Sequence, residues 1–169
     1  MSNNRIFPHR EAPAELGRVS ALLDYVYGPP TGSILKKLGV KFVYSPRSQR
    51  LRDIYADGLL YAVMREDGYP LLQKYGLKLL EGSFLTKSIT VKAEAVQCVR
   101  AGGNVFCRHV AGFNGRFAID EDCVVVSPDD RPIACGRLLI HQDEIRFFKK
   151  GVAVKTRFGV ADPADEIEQ

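Results

Sequence analysis

Ser88-Ile89-Thr90-Val91-Lys92, the helically spaced run 93–99, Gly102-Gly103-Asn104-Val105-Phe106, Ala134-Cys135-Gly136-Arg137 and Lys150-Gly151-Val152-Ala153-Val154-Lys155 succeed one another along the second half of the chain. Apolar and β-branched residues predict strands over 89–91, 104–109, 123–127, 133–139 and 152–158, and a short helix over 93–100. Gly102-Gly103 stops that helix where a positive φ is easily reached. Asn114-Gly115 and Pro128-Asp129-Asp130 carry hairpin-like turn chemistry, and 142–147 has room for a helical turn. Many short strands around one helix predict a mainly β, closed or nearly closed barrel.

The first half has a different texture. Residues 1–13, with Pro8 and Pro13 among mixed charges, read as an irregular arm. Leu16, Val19, Leu22, Leu23 and Val26 are then spaced by threes and fours, a helix that Gly28-Pro29-Pro30 ends, with one or two further turns over 33–38. Stretches 40–44, 51–55 and 59–63 alternate as an antiparallel meander, with Asp57-Gly58 as its tighter turn. Leu71, Leu72, Tyr75, Leu79 and Leu80 return to helical spacing and predict a helix over 69–80. An α+β domain over 14–82 follows, with Glu81-Gly82-Ser83 as a linker to the β-rich domain at 86–160 and an acidic, flexible tail at 161–169.

The 169 residues carry a net charge of +4, unevenly placed: 1–87 hold 13 basic and 8 acidic residues, whereas 88–169 hold 11 and 12. Four of those acids, Asp162, Asp165, Glu166 and Glu168, crowd the last eight positions, so 88–161 is itself basic. Mild basicity favours an anionic partner without selecting one. Cys98, Cys107, Cys123 and Cys135 sit among apolar residues with no CxxC or Cys/His ligand spacing, as small buried hydrophobes of a reducing cytoplasm do, with a disulfide open for any pair that the fold brings close. No apolar run has the length to span a bilayer, and Met1-Ser2-Asn3-Asn4-Arg5 leads into no signal-peptide core, so a cytoplasmic protein with no membrane partner is expected. His9, His109 and His141 are dispersed, and no Ser or Cys has an activating neighbour. No catalytic residue, metal or cofactor is indicated.

The glycine-punctuated order of the second half resembles the PUA domain, an RNA-binding module. Leu22-Leu23-Asp24-Tyr25-Val26-Tyr27-Gly28, the basic turn from Arg47 to Arg52, Asp67-Gly68, and Gly76 ahead of Leu79-Leu80 resemble the segment that precedes the PUA domain in archaeosine tRNA-guanine transglycosylase. Asn104-Val105-Phe106-Cys107-Arg108-His109-Val110 and Phe147-Phe148-Lys149-Lys150-Gly151-Val152-Ala153-Val154-Lys155 also look closer to that enzyme's C-terminal module than to other PUA domains. The resemblance implies an α+β domain followed by a PUA pseudobarrel that holds the acceptor stem and 3′ end of tRNA. It supplies no catalysis: the enzyme's barrel of about 250 residues, its aspartate nucleophile and its Cys/His zinc ligands have no counterpart here.

On that resemblance the helix 93–100, the Gly102-Gly103 turn and the strand after it form one wall of an RNA site, and the last strand forms the other. Gly102, Gly103 and Gly151 would let a phosphate-ribose chain approach the backbone. Arg100, Arg108, Lys149, Lys150, Lys155 and Arg157 would meet phosphates, Asn104 or exposed backbone groups would hydrogen-bond base edges or 2′-hydroxyls, and Val105 and Arg137 complete the set of RNA-binding residues. The expectation rests most on Gly103, Asn104, Lys150 and Lys155. Arg47, Arg50 and Arg52 offer a secondary contact, with Arg50 and Arg52 on one strand face. Of Tyr25, Tyr27, Tyr44, Tyr55 and Tyr61, mostly core or rim, one could stack on an unpaired base.

The function expected is therefore non-catalytic binding of RNA, tRNA first, either alone or as the detached binding subunit beside a catalytic transglycosylase-like partner. The alternative is an assembly module of a larger RNA-modification enzyme whose RNA contact is vestigial. An unrecognised enzyme would need a deep pocket that gathers Asp or Glu with His109 or His141.

Overall fold

The computed structural model describes residues 13–161. The expected N-terminal arm and acidic tail lie outside the described residues, apart from Pro13 and Ala161.

Helix α1 (Pro13–Tyr27) is followed by the short α2 (Thr31–Leu35) and by a sheet of β1 (Val40–Tyr44), β2 (Leu51–Ala56), β3 (Leu59–Met64) and β4 (Pro70–Leu72). These four strands are antiparallel in sequence order. Asp57 and Gly58 both take positive φ, which suits the right-handed twist of the tight β2–β3 hairpin. The helix expected over 69–80 is instead β4 followed by the one-turn helix α3 (Lys74–Lys78). Pro70, which has no N–H to give, sits at the start of an edge strand and pairs with Met64. The buried hydroxyl of Tyr27 accepts from the Leu72 N–H and donates to the Pro70 carbonyl, serving β4 where a further strand is missing.

The second half holds β5 (Ser88–Val91), a 3₁₀ turn (Ala93–Ala95) leading into α4 (Val96–Arg100), β6 (Val105–Phe106), β7 (Val110–Asn114), β8 (Asp122–Val126), β9 (Pro132–Leu138) and β10 (Val152–Gly159). They form a six-stranded mixed half-barrel ordered β6-β10-β9-β8-β5-β7, antiparallel except where β5 runs parallel to β8. All five residues of β8 are buried, which its unbroken apolar run Cys123-Val124-Val125-Val126 anticipates.

Two corrections concern the strand expected over 104–109 and the Asn114-Gly115 hairpin. Only Val105 and Phe106 pair with β10; the chain then bends through a 3₁₀ turn, Cys107–His109, whose first N–H is taken by the Gly151 carbonyl. Asn114-Gly115 ends β7, which pairs back onto β5 and not onto β8.

The two halves share a core. Val19, Leu23, Val26 and Tyr27 of α1 pack in one apolar cluster with Ile54, Tyr61 and Leu72 of the first sheet and with Val124, Val126 and Cys135 of the second. Just past the expected linker 81–83 the chain is fixed, because Leu85 is buried in this cluster and the Thr86 N–H bonds the Pro29 carbonyl. A second cluster, including Ile89, Val105, Cys123, Val125 and Leu138, fills the half-barrel itself.

Candidate nucleic-acid interface

The glycine turn is built against the end of β10. Gly102 has a φ of +97° with open space where a side chain would stand, so it caps α4 by conformation. Gly103 is constrained from within, because an added Cβ would overlap the Cys98 side chain and its carbonyl. The Gly103 carbonyl accepts from the Thr156 hydroxyl at 2.8 Å, and the Asn104 Oδ1 accepts from the Thr156 N–H at 3.0 Å. Gly103 and Asn104 are thus brought to β10, with the Asn104 carbonyl oxygen committed to the backbone there.

Gly159 was not anticipated and marks the tightest approach: an added Cβ would overlap the Arg100 carbonyl. That carbonyl accepts from the Ala161 N–H at 3.1 Å, so the chain after β10 runs along the C-terminus of α4. The Arg100 side chain, also exposed, lines a cleft of about 420 Å³ with Lys78, Val96, Arg131 and Val160.

Val105 is fully buried in the half-barrel and cannot offer its side chain to a ligand, which corrects its place among the expected contacts. Its neighbour Phe106 points the other way, 41% exposed. Strand alternation explains the pair: one side chain enters the core, and the next stands on the surface.

Phe106 opens a grouping of exposed aromatic and basic residues. Across the edge of the sheet it faces Val152, next to Gly151 and Lys150, and its ring meets His109 edge-on at 6.2 Å. The 3₁₀ turn Cys107–His109 packs against the 3₁₀ turn Ile145–Phe147. That second turn presents Phe147, 72% exposed, with the Arg146 guanidinium 4.8 Å above its ring. Phe148, next in sequence, is half exposed, and Arg108, Lys149 and Lys150 are exposed on and beside the same two turns. Gly151, with φ +113°, turns the chain from this cluster into β10. Arg108, Lys149, Lys150 and Gly151 are therefore brought together, while Phe106, Phe147 and Phe148 were missed. The signal for them was present: in Phe147-Phe148-Lys149-Lys150 two aromatics adjoin two lysines where a buried strand should alternate.

Other expected contacts lie apart. Lys155 stands opposite Arg137, which stands opposite Asp122, a row across the outer faces of β10, β9 and β8. Arg137 is 3.5 Å from Asp120. Arg157 is held by the buried Asp122 carboxylate at 3.0 Å, and Arg65 of the first half donates to the same carboxylate at 2.5 Å. Burial is the largest single influence and opposes the Arg65 charge, but the bond to Asp122 together with the charges of Asp122 and Asp67 outweighs it and raises the pKa. Arg47, Arg50 and Arg52 lie on and beside the β1–β2 hairpin, where Arg52 pairs with Asp53 at 2.8 Å and Arg50 lines an open groove of about 940 Å³.

Neither His109 nor His141 gathers an acid in a deep pocket: His109 approaches the exposed Glu94 at 3.7 Å and His141 the exposed Asp143 at 3.7 Å. Among the described residues no helix is long and apolar enough to cross a membrane.

Comparison with known proteins adds two family matches and a set of relatives. The PUA domain model matches residues 87–160, and the model of the patch-forming domain C2 of tRNA-guanine transglycosylase matches residues 17–86. The tRNA-guanine(15) transglycosylase of Methanobrevibacter smithii is 28% identical over 154 residues, covering 89% of this chain and 23% of the relative. That of Thermococcus kodakarensis is 31% identical over 145 residues, covering 84% and 25%. The chain thus spans about a quarter of the length of the relatives it matches. Among solved structures, a hypothetical protein from Pyrococcus horikoshii OT3 aligns with a TM-score of 0.69 at 18% identity, over 96% of this chain and 99% of that one. A conserved PUA domain protein from Thermoplasma acidophilum gives 0.67 at 16%, over 90% and 93%. At these identities the structural likeness is one of fold.

Proposed function

From a PUA-domain protein that resembles the C-terminal part of archaeal tRNA-guanine(15) transglycosylases, we propose an RNA-binding activity, directed at tRNA and non-catalytic in itself. The observation that carries this reading is that two 3₁₀ turns packed on each other, with the residues flanking them, expose Phe106, Phe147 and Phe148 together with Arg108, Arg146, Lys149 and Lys150. Exposed rings stack on bases of any identity, and cations beside them take the phosphates. Unpaired nucleotides suit such a surface better than a duplex, whose bases are already stacked.

The names of the relatives extend the reading to tRNA, and the family resemblance extends it to the acceptor stem and its 3′ end. Asn104 keeps its amide nitrogen for a ribose hydroxyl or base edge, while its oxygen holds β10. Lys155 extends the basic surface, and Arg47 and Arg50 of the β1–β2 hairpin provide a separate phosphate contact. Arg137 and Arg157 act chiefly through Asp120 and Asp122, shaping the outer face of the sheet.

The catalytic step belongs, on this reading, to a transglycosylase-like partner. Electrophoretic mobility of tRNA with the purified chain tests the proposal, with Phe147→Ala as the first variant. Loss of one stacked base is worth about 1–3 kcal/mol. A chain that binds the partner but leaves tRNA unshifted would support the assembly module instead.

A further inference from the structure

We propose that the junction between the two halves is a second nucleotide-binding surface, which receives RNA passing out of the PUA module and stacks an unpaired base on Tyr25. The inference rests on the RNA reading above and adds to it a stacking site on the first half of the chain, apart from the phosphate contact of Arg47 and Arg50.

Tyr25 of α1 and Tyr69 of the β3–β4 turn form a stacked pair, centroids 6.1 Å apart and planes 21° from parallel. Tyr25 is 68% exposed and Tyr69 is exposed too, so the pair presents a ring face to solvent. Two large rings kept at the surface gain little from burial. What they offer is a flat, rigid aromatic platform.

The platform is tied to the PUA module. The Tyr69 carbonyl accepts from the Arg65 N–H, and the Arg65 guanidinium reaches Asp122 beside Arg157. From there the register runs Asp122, Arg137, Lys155 across β8, β9 and β10. A single path therefore leads from Lys155, at the edge of the proposed RNA surface, to the two tyrosines. Arg65 and Arg157 keep about a third of their side chains exposed at 32% and 34%. Each guanidinium has five N–H donors, more than the carboxylates use, so donors remain for phosphate or ribose oxygens.

Charge along the path is balanced except at Lys155. Arg65 also pairs with Asp67 at 2.7 Å, and Arg137 approaches Asp120. The junction should therefore contribute stacking and hydrogen bonding with little counterion release, unlike the lysine-rich surface. This difference gives the experiment its resolving power.

The test compares tRNA with a labelled single-stranded tetranucleotide, ACCA, too short to span both surfaces, on the wild-type chain and on Tyr25→Ala with Tyr69→Ala. The expected result is about tenfold weaker tRNA binding, with an unchanged salt slope and unchanged tetranucleotide affinity. The melting temperature, unchanged, would exclude unfolding as the cause. Undiminished tRNA affinity would overturn the junction surface while the RNA reading stands on Lys150→Glu with Lys155→Glu. Equal loss for tRNA and tetranucleotide would overturn it as well, since it would report damage passed to the PUA surface. A wild-type chain that binds neither RNA would remove the underlying reading and this one with it.

Discussion

Arg65 and Arg157, 92 positions apart in the sequence, close on one carboxylate, that of Asp122, which is only 3% exposed. The arrangement joins the β3–β4 turn to the last strand of the half-barrel. Asp122 heads an otherwise apolar strand, and its burial is tolerable because both oxygens are engaged by guanidinium donors.

Asp122→Asn should cost about 2–3 kcal/mol, below the range for a fully buried pair because both arginines are partly exposed. Urea denaturation should show one transition for both halves in the wild type, since α1 is buried against both sheets. Two separated transitions in the wild type would contradict a shared core.

Gly159→Ala should destabilise by about 2 kcal/mol, because the methyl group must displace the α4 terminus or the end of β10. Gly58→Ala, at a positive φ but with open space around it, should cost about 1 kcal/mol from backbone strain alone. Thermal denaturation of the pair separates crowding from conformation. An equal loss in both would refute the close approach at Arg100.

Cys98 should be the one thiol that reacts rapidly with a disulfide reagent in the native protein, with all four reacting after denaturation. Cys107, Cys123 and Cys135 are buried, and all four are free. Rapid native reaction of a second thiol would place the burial in error.

Alkaline stability should follow Cys135. Burial, reinforced by the Asp122 charge, pushes its thiol up to about 12, against roughly 8.5 in an unfolded chain. The folded state therefore holds a proton that the unfolded state releases. The stabilisation is complete below the unfolded value and is lost as the pH rises toward the folded one, at up to about 1.4 kcal/mol per pH unit. Cys135→Ala should flatten part of the fall in unfolding free energy between about pH 9 and 11. An unchanged profile would deny the buried thiol that role.

The fold was legible where local pattern and burial agree. The α1 spacing, the Asp57-Gly58 hairpin and the unbroken run of β8 each answer to one constraint, and each stands as read. The 69–80 helix failed because Leu71 and Leu72 are spaced for either structure, and the Tyr27 hydroxyl that holds β4 comes from 45 residues away. At the site, Gly103 was visible but its reason was not, and Gly159 was missed: they answer to Cys98 and Arg100 through packing that no spacing reports. Arg137 and Arg157 looked available because their acidic partners come from the segment at Asp120 and Asp122. The exposed aromatics escaped because Phe106 and Phe147 are separated by 41 positions, and the segments that carry them come together only through the packing of the two 3₁₀ turns.

The most direct test is tRNA affinity measured across a salt series, for the wild-type chain and for Lys150→Glu with Lys155→Glu. Each phosphate contact contributes roughly 0.7–0.9 to the slope of log affinity against log salt. The wild-type chain should bind at low salt with a slope of several contacts, and the variant should bind more weakly with a slope smaller by about one to two. Absence of binding at low salt, or a variant with the same affinity and slope as the wild type, would contradict the proposed RNA binding.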